Sequence, residues 1–208
     1  MNSSNRIYLY PLWVRIWHGV NALGIIFLII SGLRMQYADV DLFGFSFKTA
    51  ITLHNVAGVS ISVNYVLFLI GNFVTTNKYH YRVELDQLVE KLKLQSNYYL
   101  SGIFTNEPAP FPVSPKQKFN PLQKYVYIAV MYVLVPLLIV TGIALLFPEL
   151  IVERIYSFSG IYLTALLHGA IGLFIFIFLI IHLYIASMGK NPLIAFRSMI
   201  DGFHDVSH

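Results

Sequence analysis

The chain has no cysteine, which excludes disulfides, thiolate metal sites and iron–sulfur ligation by its own side chains. Charge is scarce as well. Only 12% of the 208 residues are Asp, Glu, Lys or Arg, while 57% are hydrophobic and the mean hydropathy is +0.66. So little charge excludes an ordinary soluble domain and implies an integral membrane protein. No internal repeat of convincing period is present. The first apolar run lacks the small-residue cleavage site of a secretory signal, so it is expected to be a retained helix.

What is present is apolar sequence in spanning lengths. Runs at about 12–37, 50–75, 122–147 and 160–187 each approach or exceed the ~20 residues a transmembrane helix needs. None of them contains Asp or Glu. The expected fold is all-α, a single four-helix membrane domain over residues 1–208, with a loop at 76–121. Eleven of the fourteen basic residues lie in the N-terminal flank, that loop and the tail, leaving Arg34, Lys48 and Arg154 for the other connections. By the positive-inside rule, both termini and the loop face the cytoplasm. The positive balance thus reflects topology, and nothing in the sequence points to nucleic acid.

Amphipathic spacing in the loop, at Leu85, Leu88, Val89 and Leu92, predicts a helix on the membrane surface. The following proline-rich stretch from Asn97 to Pro121 predicts an extended connector. Asn191-Pro192 predicts the start of a second surface helix that carries Leu193, Phe196, Ile200 and Phe203 and closes at Gly202. Pro136 predicts a bend in the third span, and Tyr10, Trp13 and Trp17 fall at interfacial depth.

Histidines are the chemistry-bearing residues of the spans. His168 and His182 share the fourth run, fourteen residues apart; at 1.5 Å rise that is ~21 Å, with the two returning to within ~40° of one face. His18 lies in the first run near the cytoplasmic side, and His54 in the second near the outer side. Imidazole inside a bilayer is costly and points to function, although a helix-to-helix hydrogen bond is the plainer reading of any single one. Depth pairs His54 with His168 at the outer level and His18 with His182 at the inner one. Two histidines from different helices at each of two levels suit two b-type haems, each iron held by imidazole on both faces and closed to oxygen. Gly58 and Gly172, each one turn from a histidine, would let a flat ligand approach the backbone or let helices pack closely.

Zinc fits less well, because each level offers two ligands where a closed site needs four. A histidine-based transporter without haem would want acidic partners that the spans lack. Arg15 and Arg34 lie near the inner and outer levels, where each could pair with a haem carboxylate or anchor the helix at the interface. His80, His204 and His208 fall in loop or tail and are expected to be solvated.

The stretches YPLWVRIWHGVNALGIIFLIISGL, LHN, KFNPLQK and LLHG…IIHLY together resemble the dihaem cytochrome b membrane subunits of formate dehydrogenases, nickel–iron hydrogenases and thiosulfate-reductase-type complexes. The likeness covers nearly the whole chain. It implies a subunit that exchanges electrons with an iron–sulfur or multihaem partner attached to a catalytic subunit, and with quinone (menaquinone or ubiquinone) near the inner haem. It also implies that Asn120, at the start of the third span, lies at the quinone site beside His182, with Gln123 and Lys124 as further candidates. Asn120 has a second reading, as the helix cap before Pro121. A stand-alone bacterial cytochrome b561 has the same histidine layout, and a haem-free membrane anchor would share only the spans.

Overall fold

The structure is a computed structural model, described for residues 6–38, 42–105, 107–114, 117–188 and 193–205. It has six α-helices among the described residues: α1 (Leu12–Gln36), α2 (Phe47–Val74), α3 (Leu88–Asn97), α4 (Pro121–Leu146), α5 (Gly160–Ala186) and α6 (Ile194–Asp201). Four of these, α1, α2, α4 and α5, are long and apolar enough to cross a membrane, so the chain is the expected all-α membrane bundle.

Three boundaries differ from the sequence reading for local reasons. Helix α2 begins three residues earlier than expected, because Ser46 caps it by accepting from Thr49 N at 3.1 Å. Helix α3 continues through a π-turn at Tyr98–Gly102, so the extended connector is shorter than predicted. In α4 a second π-turn at Val130–Leu134 precedes Pro136 and accommodates the residue that cannot donate to the helix ladder. Asn191-Pro192 lies outside the described residues; the helix expected there runs from Ile194 and ends at Gly202, whose φ of 86° is the left-handed conformation that suits glycine.

The chain divides into two units. The central unit, residues 16–70 and 132–181, takes a segment of each of the four long helices. Trp17 stacks on the fully buried Phe68 at 4.6 Å, and Phe68 meets Tyr132 at 6.2 Å. Asn64 Nδ2 donates to Trp17 O at 3.1 Å, which satisfies a buried amide within the bundle. Gly24 lets α2 in close, since a Cβ there would fall 2.7 Å from Ile61 Cγ1. Large apolar side chains such as Leu23, Val140 and Phe174 are exposed, as lipid-facing positions are. A short hairpin, β2 (Arg154–Ile155) with β3 (Phe158–Ser159), leads into α5.

The terminal unit comprises the described parts of residues 1–15, 71–131 and 182–208. Here a strand pairing appears that hydropathy did not announce: β1 (Arg6–Tyr8) runs antiparallel to β4 (Phe203–Asp205), with Ile7 opposite His204. Asp201 reinforces it through ion pairs to Arg6 and, at 3.4 Å, to Arg197. The hydrogen bond from Phe203 N and these arginines hold its carboxyl below the usual range. Helix α3 packs on α4, while Lys124 Nζ meets Glu84 at 3.0 Å and Tyr125 hydroxyl bonds the Glu84 backbone. His80 and His204 are half-buried and not solvated as expected; His80 lies edge-on to Phe119 at 6.1 Å. His208 lies outside the described residues.

Candidate cofactor site

In the central unit, α2 and α5 bring His54 and His168 together with ring centroids 6.2 Å apart and planes inclined by 69°. Each ring is held from a further helix by a hydroxyl. Ser31 Oγ on α1 lies 3.0 Å from His54 Nδ1, and Thr141 Oγ1 on α4 lies 2.8 Å from His168 Nδ1. Both hydroxyls are themselves donors to their own helix: Ser31 to Phe27 O at 2.5 Å, and Thr141 to Leu137 O at 2.7 Å.

A hydroxyl has one proton. With that proton committed to a backbone carbonyl, the oxygen can only accept from the ring, so Nδ1 carries the hydrogen in both histidines. The lone pair is then on Nε2, the state in which neutral imidazole binds a metal. The next residue on each supporting helix is glycine. A Cβ at Gly32 would approach His54 Cε1 to 3.5 Å, and one at Gly142 would approach His168 Cε1 to 3.2 Å. The pairs Ser31-Gly32 and Thr141-Gly142 thus form the same cradle twice, hydroxyl for the nitrogen and bare backbone for the ring edge.

These residues fit a metal held between the two rings. Two imidazole–metal bonds of ~2 Å, with roughly 1 Å more from each nitrogen to its ring centre, give a centroid separation of ~6 Å. No group of three or more His, Cys, Asp or Glu able to hold a metal ion occurs among the described residues. Two imidazoles alone do not complete a zinc site, but they are the full axial set of a b-type haem. Gly58 and Gly172, expected to leave room for a flat ligand or for close helix packing, have open surroundings: a Cβ at Gly58 would meet only Leu28 at 3.9 Å, and one at Gly172 nothing described within 4 Å. A Ser/Thr-Gly pair in a facing span was the signal that could have found the cradles.

The remaining predicted residues fall elsewhere. His18 is on α1 in the central unit, and His182 is on α5 in the terminal unit. Tyr127 hydroxyl lies 3.3 Å from His182 Nδ1. Arg34 is buried and directs its guanidinium at the carbonyls of Phe45, Tyr37 and Ala38, clasping the connection after α1. Arg15 donates to Ile200 O, and its buried Nε has no partner. Asn120 forms a reciprocal capping box with Gln123 at the start of α4 and donates through Nδ2 to Tyr99 hydroxyl at 2.7 Å. Lys124 is paired with Glu84.

Lys118, two residues before Asn120, is 5% exposed, with its ammonium 4.5 Å from the Tyr10 ring centre and 5.5 Å from that of Phe119. Burial pushes it down to about 8. Burial also lowers His80, helped by the Lys118 and Lys124 charges, and raises Tyr10 and Tyr99. Sequence analysis treated Lys118 only as one of the basic residues that set topology.

Removing either supporting hydroxyl gives a direct check on the cradle. Were a haem held by these two histidines, Ser31→Ala and Thr141→Val would each be expected to raise its midpoint potential, by on the order of 20–50 mV, because the ring loses the acceptor that makes it more electron-rich. Optical redox titration reads the shift, and unchanged potentials would show the hydroxyls to be incidental.

Four apolar spans with a paired, pre-oriented imidazole set define a transmembrane b-type cytochrome, an electron carrier. Residues 9–202 match the family described as prokaryotic cytochrome b561. Over 204 residues the chain is 36% identical to an Escherichia coli (strain K12) protein named "Putative cytochrome YdhU", a match covering 98% of this chain and 76% of that one. The chain belongs to the prokaryotic cytochrome b561 family. It is a multi-pass membrane protein, and the family's cofactor is b-type haem.

Proposed function

We propose that the chain is a dihaem cytochrome b that passes electrons between a redox partner and the quinone pool. The observation that carries this reading is the His54–His168 pair, presented by twin hydroxyl-glycine cradles at the spacing of one shared metal. His18 and His182 are the second axial pair in this reading. Two features support it. Tyr127 engages His182 Nδ1 as the hydroxyls engage the other two rings. Within one turn of His18, Arg15 Nε, Trp17 Nε1 and Asn21 Nδ2 are buried donors with no acceptor among the described residues, which suits the carboxylates of a haem.

A bound haem would supply one-electron exchange at its iron. The protein's part is to hold Nε2 of each ligand free of its proton, exclude water from the ligand pair and set the potential through the hydroxyl contacts. Quinone exchange is assigned to the terminal unit near His182, where Asn120, Tyr99, Gln123 and Lys124 gather at the start of α4. The described basic residues of the flank, loop and tail all belong to this unit, which supports a cytoplasmic placement for it in a bacterial inner membrane.

The family description equally suits a stand-alone cytochrome b561. In the multi-subunit reading, an iron–sulfur or multihaem subunit and a catalytic subunit co-purify with the chain. A reduced-minus-oxidised spectrum with haem quantification is expected to show two b haems per chain, reducible by a quinol. One haem, or none reducible by quinol, would overturn the corresponding part.

A further inference from the structure

A protein sets two properties of an axial imidazole pair: how electron-rich each ring is, and how the two ring planes are turned against each other. Hydroxyl contacts act on the first. The second depends on what touches the ring edges, because the torsion that turns an imidazole about its bond to Cβ has broad wells of its own. Here the planes of His54 and His168 are inclined by 69°, close to crossed. Holding that angle needs an outside constraint on each ring.

Each ring is met at two adjacent atoms by two successive residues of a facing helix. At His168, Thr141 Oγ1 lies 2.8 Å from Nδ1, and a Cβ on Gly142 would stand 3.2 Å from Cε1 and 3.9 Å from Nδ1. At His54, Ser31 Oγ lies 3.0 Å from Nδ1, and a Cβ on Gly32 would stand 3.5 Å from Cε1 and 3.8 Å from Nδ1. The hydroxyls are firm anchors, since Ser31 and Thr141 are buried and each is hydrogen-bonded to the preceding turn of its own helix.

The two cradles share a plan but differ in clearance. Carbon atoms rest at about 3.5–4.0 Å from each other. A methyl at position 32 would fall within that range, at 3.5 Å, with the His54 ring where it is. A methyl at position 142 would fall inside it, at 3.2 Å, so the methyl and the His168 ring cannot both keep their places. The Thr141 contact leaves that ring little room to slide away. Its remaining freedom is rotation about the Cβ–Cγ bond, and rotation changes the angle between the two planes.

We propose that Gly142 is a positioning residue whose bare backbone fixes the plane of His168 and, through it, the crossed arrangement of the two imidazoles, a constraint that Gly32 does not impose on His54. The proposal rests on the reading above that His54 and His168 share one haem. Its consequence is electronic. Crossed rings overlap different d orbitals of an iron between them and leave those orbitals nearly equal in energy, whereas coplanar rings overlap the same one and split the pair. In the ferric state a crossed pair gives a strongly anisotropic low-spin resonance with one unusually large g value, and a coplanar pair gives a narrower spread.

Low-temperature electron paramagnetic resonance of the oxidised, haem-loaded full chain reads this angle, with haem content measured on the same samples. The wild-type signal that disappears in His168→Ala is expected to be of the strongly anisotropic kind. Gly142→Ala is expected to shift its largest g value by more than the linewidth, and Gly32→Ala by much less. If Gly142→Ala does not accumulate, Thr141→Ala against Thr141→Ala/Gly142→Ala carries the comparison, because without the hydroxyl the ring has room to move. A coplanar-type wild-type signal, an unshifted signal on adding the methyl at 142, or equal shifts from the two single alanines overturns the proposal. If His168→Ala removes no low-spin signal, the shared-haem reading itself fails, and the Gly142 assignment with it.

Discussion

In the proposed dihaem reading, His168→Ala is expected to halve the haem content, from two b haems per chain to one, and His54→Ala to do the same. The two rings face each other across 6.2 Å on different helices, so neither can substitute for the other. With one imidazole removed, the remaining axial bond must hold the haem alone, in a cradle whose Thr141 hydroxyl and Gly142 backbone now face a methyl group. The haem assigned to His18 and His182 should persist, with an unaltered bis-imidazole spectrum. Haem extraction and low-temperature electron paramagnetic resonance provide the check. Loss of both haems, or of neither, would break the assignment of His54 and His168 to one iron.

Lys118→Met is expected to stabilise the protein at neutral pH, by about 2–3 kcal/mol. An ordinary lysine side chain titrates near 10.5, and burial brings this one to about 8. That difference corresponds to about 3 kcal/mol of unfavourable free energy for the charged folded form, reduced by the attraction of the Tyr10 and Phe119 rings. Between pH 8 and 10.5 the unfolded chain binds more protons than the folded one, so wild-type stability rises with pH across that window. The advantage of the methionine variant should therefore be full below pH 8 and fade by about pH 10.5. Thermal unfolding in detergent at pH 7 and pH 10 reads both arms. A destabilised methionine variant at pH 7 would show that the ammonium is satisfied within the fold.

Hydropathy and residue spacing act along the chain, which is why much of this protein was legible before any fold was known. The four spans, the all-α class, the grouping of basic residues and the presence of histidines where imidazole is costly follow from lengths of apolar sequence and the 3.6-residue helical period. The cap at Asn120 was legible too, because Asn-Pro with Gln three residues on is a local signal. Cytochrome b family membership agrees with the resemblance carried by the histidine contexts.

What the sequence could not specify is contact between residues far apart in it. Ser31 reaches His54 across 23 residues and Thr141 reaches His168 across 27, and no periodicity in one helix says which facing helix will supply its hydrogen-bond partner. Gly58 and Gly172 drew attention because they were near a histidine in sequence. Gly32 and Gly142 lie against the rings because a neighbouring helix brings them there. The pairing of β1 with β4 joins the two ends of the chain, too far apart for any local pattern to announce. Lys118 reads in sequence as one more interfacial charge. Only the packing of Tyr10 and Phe119 around it leaves that side chain 5% exposed, because burial is a property of the surrounding fold and not of the residue.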